Sequence, residues 1–154
     1  MLTFPLRTRP AANYHNGGLR FGADRDGGAR KHAGCDLVAP LGTEILAVDD
    51  GYVIQAPYMF YHGTYALEVQ HTYLVVRYGE IRGVANGLVA RSRVTRGQVI
   101  AYVGRMNVDS MLHIEMYSGF DSGPLTVRSN PPFERRPDLM DPTPFLDRAM
   151  LVTP

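Results

Sequence analysis

No stretch in the first 120 residues carries the apolar spacing of a long amphipathic helix, and this absence constrains the fold more than any other feature. In its place stand short β-rich runs separated by turn residues, the pattern of an antiparallel sheet. Residues 43–48 precede Asp49-Asp50-Gly51 and then residues 52–55, which predicts a hairpin around a glycine turn. Residues 65–71 alternate apolar and polar side chains, as 74–78 do less cleanly, so a second hairpin turning near Thr72-Tyr73 is expected. Residues 97–104 form another short run bounded by glycines. Sixteen glycines and eleven prolines among 154 residues fit a turn-rich β protein better than a bundle. The length suits one domain. It divides into a polar, wrapping loop segment over 1–31, a core over 32–117 and a proline-rich strap over 118–154, with a short helix expected only within 144–151.

Several function classes are disfavoured at once. A formal charge of +1 supplies too little field to make nucleic acid or an anionic membrane the expected partner. No apolar run approaches the roughly 18 residues of a membrane span, and the opening MLTFPLRTRP lacks an apolar signal core. A product made in the cytoplasm without a secretory signal is therefore expected. The single Cys35 makes neither an internal disulfide nor a cysteine-rich zinc site, so any metal must be held by His, Asp or Glu.

The run 111–117 reads as a strand whose two faces differ in chemistry. Leu112, Ile114 and Met116 share an apolar face, whereas Met111, His113, Glu115 and Tyr117 share the other. A buried His-Glu pair requires a partner or a ligand. Upstream, His32 and Asp36 stand four apart with Gly34 between them, and both are competent zinc ligands. Together His32, Asp36 and His113 would supply the three protein ligands of a catalytic zinc site with an open fourth position. The structural alternatives are a surface histidine beside a turn-capping aspartate, and a hydrogen-bonded core histidine.

The segment from His32 to Ile45, running on through Ala47, Gly51 and Val53, resembles the His-x-Gly-x-Asp stretch of the lysostaphin/LytM-type zinc endopeptidases that cut peptidoglycan peptides. Residues 97–104 resemble that family's strand before its final motif, and Leu112-His113-Ile114-Glu115 resembles the end of its His-Leu-His-Phe-Glu signature. The likeness covers about residues 20 to 117, with the three blocks in the same order and spacing. It implies a mainly β domain of the duplicated hybrid motif type, with a loop-walled groove. It also implies one zinc ion on His32, Asp36 and His113, and peptidoglycan peptides as substrate. The walls are expected from the regions 58–64 and 83–93.

Two positions depart from the family pattern. Met111 stands where a catalytic His precedes the last ligand, and Glu80 stands where the family's Tyr-x-His-Leu has its His. Glutamate beside zinc can still accept and return a proton, so the reading is a zinc-dependent endopeptidase with a metal-activated water as nucleophile and Glu80 as general base. Tyr14, His15, Tyr61, His62 and His71 are substrate-binding or oxyanion candidates by residue type. Glu115 is expected behind the metal ligands, and Cys35 is expected as a small buried residue. The alternative is an inactive relative that binds or assembles in an envelope or phage structure; a metal-free binding domain is a weaker third reading. A single small domain without a wall-binding module suggests a phage or prophage product, and oligomeric state is not legible.

Overall fold

The alternation read in residues 111–117 organises the molecule, because both faces of that strand are covered. A computed structural model describes residues 1–152. In chain order the strands are β1 (Asp24–Arg25), β2 (Arg30–Lys31), β3 (Cys35–Val38), β4 (Glu44–Leu46), β5 (Gly51–Met59), β6 (Tyr65–His71), β7 (Val75–Val84), β8 (Arg93–Val94), β9 (Val99–Met106), β10 (Asp109–Tyr117) and β11 (Leu139–Met140). The helix α1 spans Thr143–Arg148, with Pro144 in its first turn.

β1 and β2 form a two-stranded ribbon, and the remaining strands form one antiparallel sheet in the order β11-β10-β9-β7-β6-β5-β8. β3 joins it on β10, and β4 on β9. Leu112, Ile114 and Met116 of β10 enter the main core with Cys35 and Leu37 of β3 and with Val76 and Tyr78 of β7. The opposite face of the same three strands carries Asp36, Arg77, Gly79, His113 and Glu115. Its polar groups are buried as well, beneath the ribbon and the C-terminal strap.

The β6–β7 hairpin forms as expected, with residues 72–74 between its strands. The hairpin expected around Asp49-Asp50-Gly51 does not: β4 pairs with β9, and β5 pairs with β6 and β8. Gly51 is a packing glycine that opens β5, where a Cβ would lie 2.1 Å from the Gln70 carbonyl oxygen. Among the described residues no helix is long and apolar enough to cross a membrane.

Candidate metal centre

Strand register brings the site together. His113 of β10 pairs with Asp36 of β3 on one side and with Gly79 of β7 on the other, so one row across three strands carries the central groups. His32 arrives from the ribbon side, where its backbone N–H donates to the Ala23 carbonyl and extends the β1–β2 ladder by one step. Gly34 between His32 and Asp36 makes this approach possible. A Cβ there would fall 2.2 Å from the Ile114 carbonyl oxygen and 3.1 Å from His113 Cε1. Gly79 gives the same relief on the other side, where a Cβ would meet Phe60 at 2.8 Å and the His113 ring at 3.3 Å.

The atoms of His32, Asp36 and His113 that face one another are His32 Nε2, Asp36 Oδ1 and His113 Nδ1. They are separated by 3.1 Å from His32 to Asp36, 3.1 Å from His32 to His113 and 2.9 Å from His113 to Asp36. Each imidazole is held from behind. His32 Nδ1–H donates to the Arg20 carbonyl at 2.8 Å, and His113 Nε2–H donates to Glu115 Oε2 at 2.7 Å. A neutral imidazole carries one N–H, so both facing nitrogens present lone pairs to a carboxylate oxygen. In that tautomeric state three buried acceptors converge and a cation must join them: a second proton on His113 does so when no metal is bound, and the N, N, O set suits zinc. The residues therefore fit the metal that the sequence motif implies. Burial alone would lower the basicity of His113, but its hydrogen bonds with Asp36 and Glu115 raise it to about 10. Burial likewise works against the Asp36 carboxylate, yet His113 and His32 hold its pKa well below the usual range. The negative field that favours a proton at this point favours a metal ion there equally.

Glu115 is the anchor of the arrangement. It is fully buried and accepts from Arg77 Nε at 3.2 Å, Arg135 Nε at 3.1 Å and Arg135 Nη2 at 3.2 Å, and from the Tyr117 hydroxyl. Burial disfavours its charge, but Arg77, His113 and Arg135 outweigh this and keep its pKa well below the normal carboxylate value. Arg77 is the direct cross-strand partner of Glu115, and it also donates to Tyr58 and Thr126. The sequence reading missed both arginines. A buried glutamate needed a counter-charge, but only the register identifies Arg77, and only the fold of the strap brings Arg135 within reach.

Glu80 owes its position to a bulge. Between the pairs Leu67↔Tyr78 and Tyr65↔Ile81, β7 holds one more residue than β6, and Glu80 adopts a left-handed φ of 59°. Tyr78 and Ile81 thereby both enter the core, while Glu80 turns toward the metal-competent cluster, its Oε2 3.6 Å from His113 Nδ1. Burial and the neighbouring Asp36 raise its pKa, against the pull of His113, to about 7.

His32, Asp36, Glu80 and His113 line a groove of about 330 Å³ together with Arg25, Arg30, Tyr61, His62, Met106, Asp109, Met111 and Arg135. The region 58–64 supplies one wall, as expected. The region 83–93 does not take part; the β1–β2 ribbon, the β9–β10 turn and Arg135 form the rest. A larger depression of about 700 Å³ lies between residues 6–12 and 38–44 and receives none of the candidate residues. Of the substrate-binding candidates, only Tyr61 and His62 are in the groove, and Arg135 donates to the Tyr61 hydroxyl at 3.4 Å. Tyr14 and His15 bind Asp147 of α1 instead, at 2.6 and 2.8 Å. His71 is buried between the Tyr78 hydroxyl and the Asp50 carbonyl. Cys35 lies in the core beside Thr143, and burial pushes its thiol up to about 11, which suits an inert residue.

The antiparallel sheet matches the fold of the lysostaphin/LytM-type peptidases. Residues 30–125, well over half of the chain, match the profile of peptidase family M23, and the chain belongs to that family. It is similar in fold to the catalytic domain of the antimicrobial peptidase lysostaphin from Staphylococcus simulans, at 23% identity and a TM-score of 0.62 over 84% of this chain and 90% of that one. LytU is similar at 24% identity and a TM-score of 0.63, covering 89% and 90% of the two chains. A zinc-containing peptidase from Vibrio cholerae is similar at 22% identity and a TM-score of 0.54, over 75% of this chain and 37% of that one. The chain spans 48% of lysostaphin as a whole. No curated protein sequence matches it.

Proposed function

We propose that the protein is a zinc-dependent endopeptidase that hydrolyses peptide cross-links of bacterial peptidoglycan. The observation that carries this reading is the convergence of three lone-pair donors, with tautomers fixed from behind, beside a carboxylate that belongs to none of them. Membership of family M23, the zinc named for the Vibrio cholerae neighbour and the peptidase activity named for lysostaphin support it. His32 Nε2, Asp36 Oδ1 and His113 Nδ1 would hold the metal, which when bound polarises the scissile carbonyl and makes water a competent nucleophile near neutral pH. Glu80 accepts the proton of the attacking water and returns it to the leaving amine. Burial, which disfavours its charge, strengthens its pull on that proton. Glu115 holds the His113 ring, and Tyr61 and His62 border the groove as candidate donors to the developing oxyanion.

Elemental analysis of the wild type and of His113→Ala, with mass spectrometry of cross-linked muropeptides, tests the proposal. Near-stoichiometric zinc that His113→Ala loses, together with new peptide termini, is the expected result. Glu80→Gln should keep its zinc and lose roughly a hundredfold to ten-thousandfold in turnover; full cleavage by that variant would remove Glu80 from the mechanism. One observation favours a second reading, an inactive binding module: Met111 lines the groove where the family has a proton-handling His. That reading expects muropeptide binding without cleavage.

A further inference from the structure

The β1–β2 ribbon pairs like charges across the groove wall. Arg25 and Arg30 are direct cross-strand partners, and both line the groove. Like charges placed opposite one another destabilise a two-stranded ribbon. The neighbouring pair of the same ribbon, Asp24 and Lys31, follows the usual rule and forms an ion pair. Arg25 and Arg30 are also withdrawn from solvent, with side chains 27% and 21% exposed.

Their existing partners leave this positive charge incompletely offset. Arg25 donates to the Gly18 and Asp24 carbonyls, which are neutral, and lies 3.6 Å from Asp36 Oδ2. The other oxygen of Asp36 faces the two histidines. Among the described residues Arg30 forms an ion pair with Asp26 alone, whose side chain is 69% exposed and therefore well screened by water. Arg135 is held by Glu115, whose single charge it shares with Arg77. The remaining acids of the groove are Glu80, which lies beside His113 and within the field of Arg25, and Asp109 at the start of β10.

Resting on the peptidase reading above, we infer that Arg25 and Arg30 form a subsite for a free carboxylate on the substrate peptide, adjacent to the scissile amide. The substrate class is thereby a cross-linked peptide with a free acid beside the bond that is cut. Paired guanidinium groups bind a carboxylate through charge-assisted, forked hydrogen bonds. Arg30 shares the groove face with His32, two residues on, which sets the subsite one step from the metal-competent cluster.

The test uses the zinc-loaded full chain and two synthetic cross-linked peptides, identical except that the side-chain carboxyl beside the cross-link is free in one and amidated in the other. Affinity and turnover are measured for the wild type, Arg30→Gln and Arg25→Gln, with zinc content determined for each. The wild type should bind the free acid on the order of tenfold to a hundredfold more tightly than the amide. Arg30→Gln should abolish that preference with its zinc retained. Equal affinity for the two peptides would overturn the inference, as would a preference that survives both substitutions. Discrimination in binding without cleavage of either peptide would uphold the carboxylate subsite while refuting the peptidase reading.

Discussion

Replacing Glu115 by Gln exchanges one carboxylate oxygen for an NH₂ group and tests whether the buried anion holds the centre together. Oε1 receives Arg77, Arg135 and Tyr117, and Oε2 receives His113 and Arg135. In either amide orientation the new NH₂ group faces a guanidinium N–H, and two buried arginines lose their shared counter-charge. Breaking a buried ion pair by removing one partner costs about 3–5 kcal/mol, a large part of the roughly 5–15 kcal/mol that holds a domain folded. Urea unfolding of the metal-free protein at pH 7 measures the loss directly, with the slope expected to stay constant. The pH dependence adds an independent check. The folded pKa of Glu115 lies well below its normal value of 4.5, so its contribution is fully present above pH 4.5 and lost only as pH falls through the depressed value. The gap between wild type and variant should therefore be unchanged from pH 7 to about pH 5.5 and should close only in stronger acid. A loss below about 1 kcal/mol, or a gap that closes already near pH 6, would refute the account of Glu115 as a charged anchor.

Gly34→Ala places a Cβ 2.2 Å from the Ile114 carbonyl, so β3 must separate from β10. We expect a loss of about 1–3 kcal/mol in chemical denaturation, together with weakened zinc binding; a stable variant with native zinc affinity would show that the close approach is dispensable. Zinc at a hundred times its dissociation constant should stabilise the fold by about 2.7 kcal/mol, visible as a rise in Tm that a chelator reverses and that His32→Ala lacks. No zinc-dependent shift in the wild type would contradict the ligand assignment.

The parts of the site legible in the sequence were those governed by strand alternation and local spacing. The polar face of β10 with its His113-Glu115 pair, and the His32-Gly34-Asp36 step, required no knowledge of distant contacts. The β4–β5 hairpin was misread because Gly51 looks like a turn residue from its neighbours, whereas its missing side chain serves the Gln70 carbonyl across the sheet. Tyr14, His15 and His71 entered by residue type alone, and each satisfies its polar atoms against a group far along the chain. The bulge that aims Glu80 was equally hidden, because it exists only as a mismatch between β7 and its neighbours.

The segment that matches family M23 stops at residue 125, ten positions short of Arg135, and starts ten positions beyond Arg20. Yet the Arg20 carbonyl fixes the tautomer of one candidate ligand, and Arg135 clamps the glutamate that fixes the other. The segment recognised as M23 is thus shorter than the set of residues that shapes the candidate site, although the fold is shared with LytU over 89% of this chain. Trimming this chain to its recognisable portion, or grafting that portion onto a foreign wall-binding module, would carry over His32, Asp36, His113 and Glu115 while leaving behind the Arg20 carbonyl and Arg135 that hold them from outside.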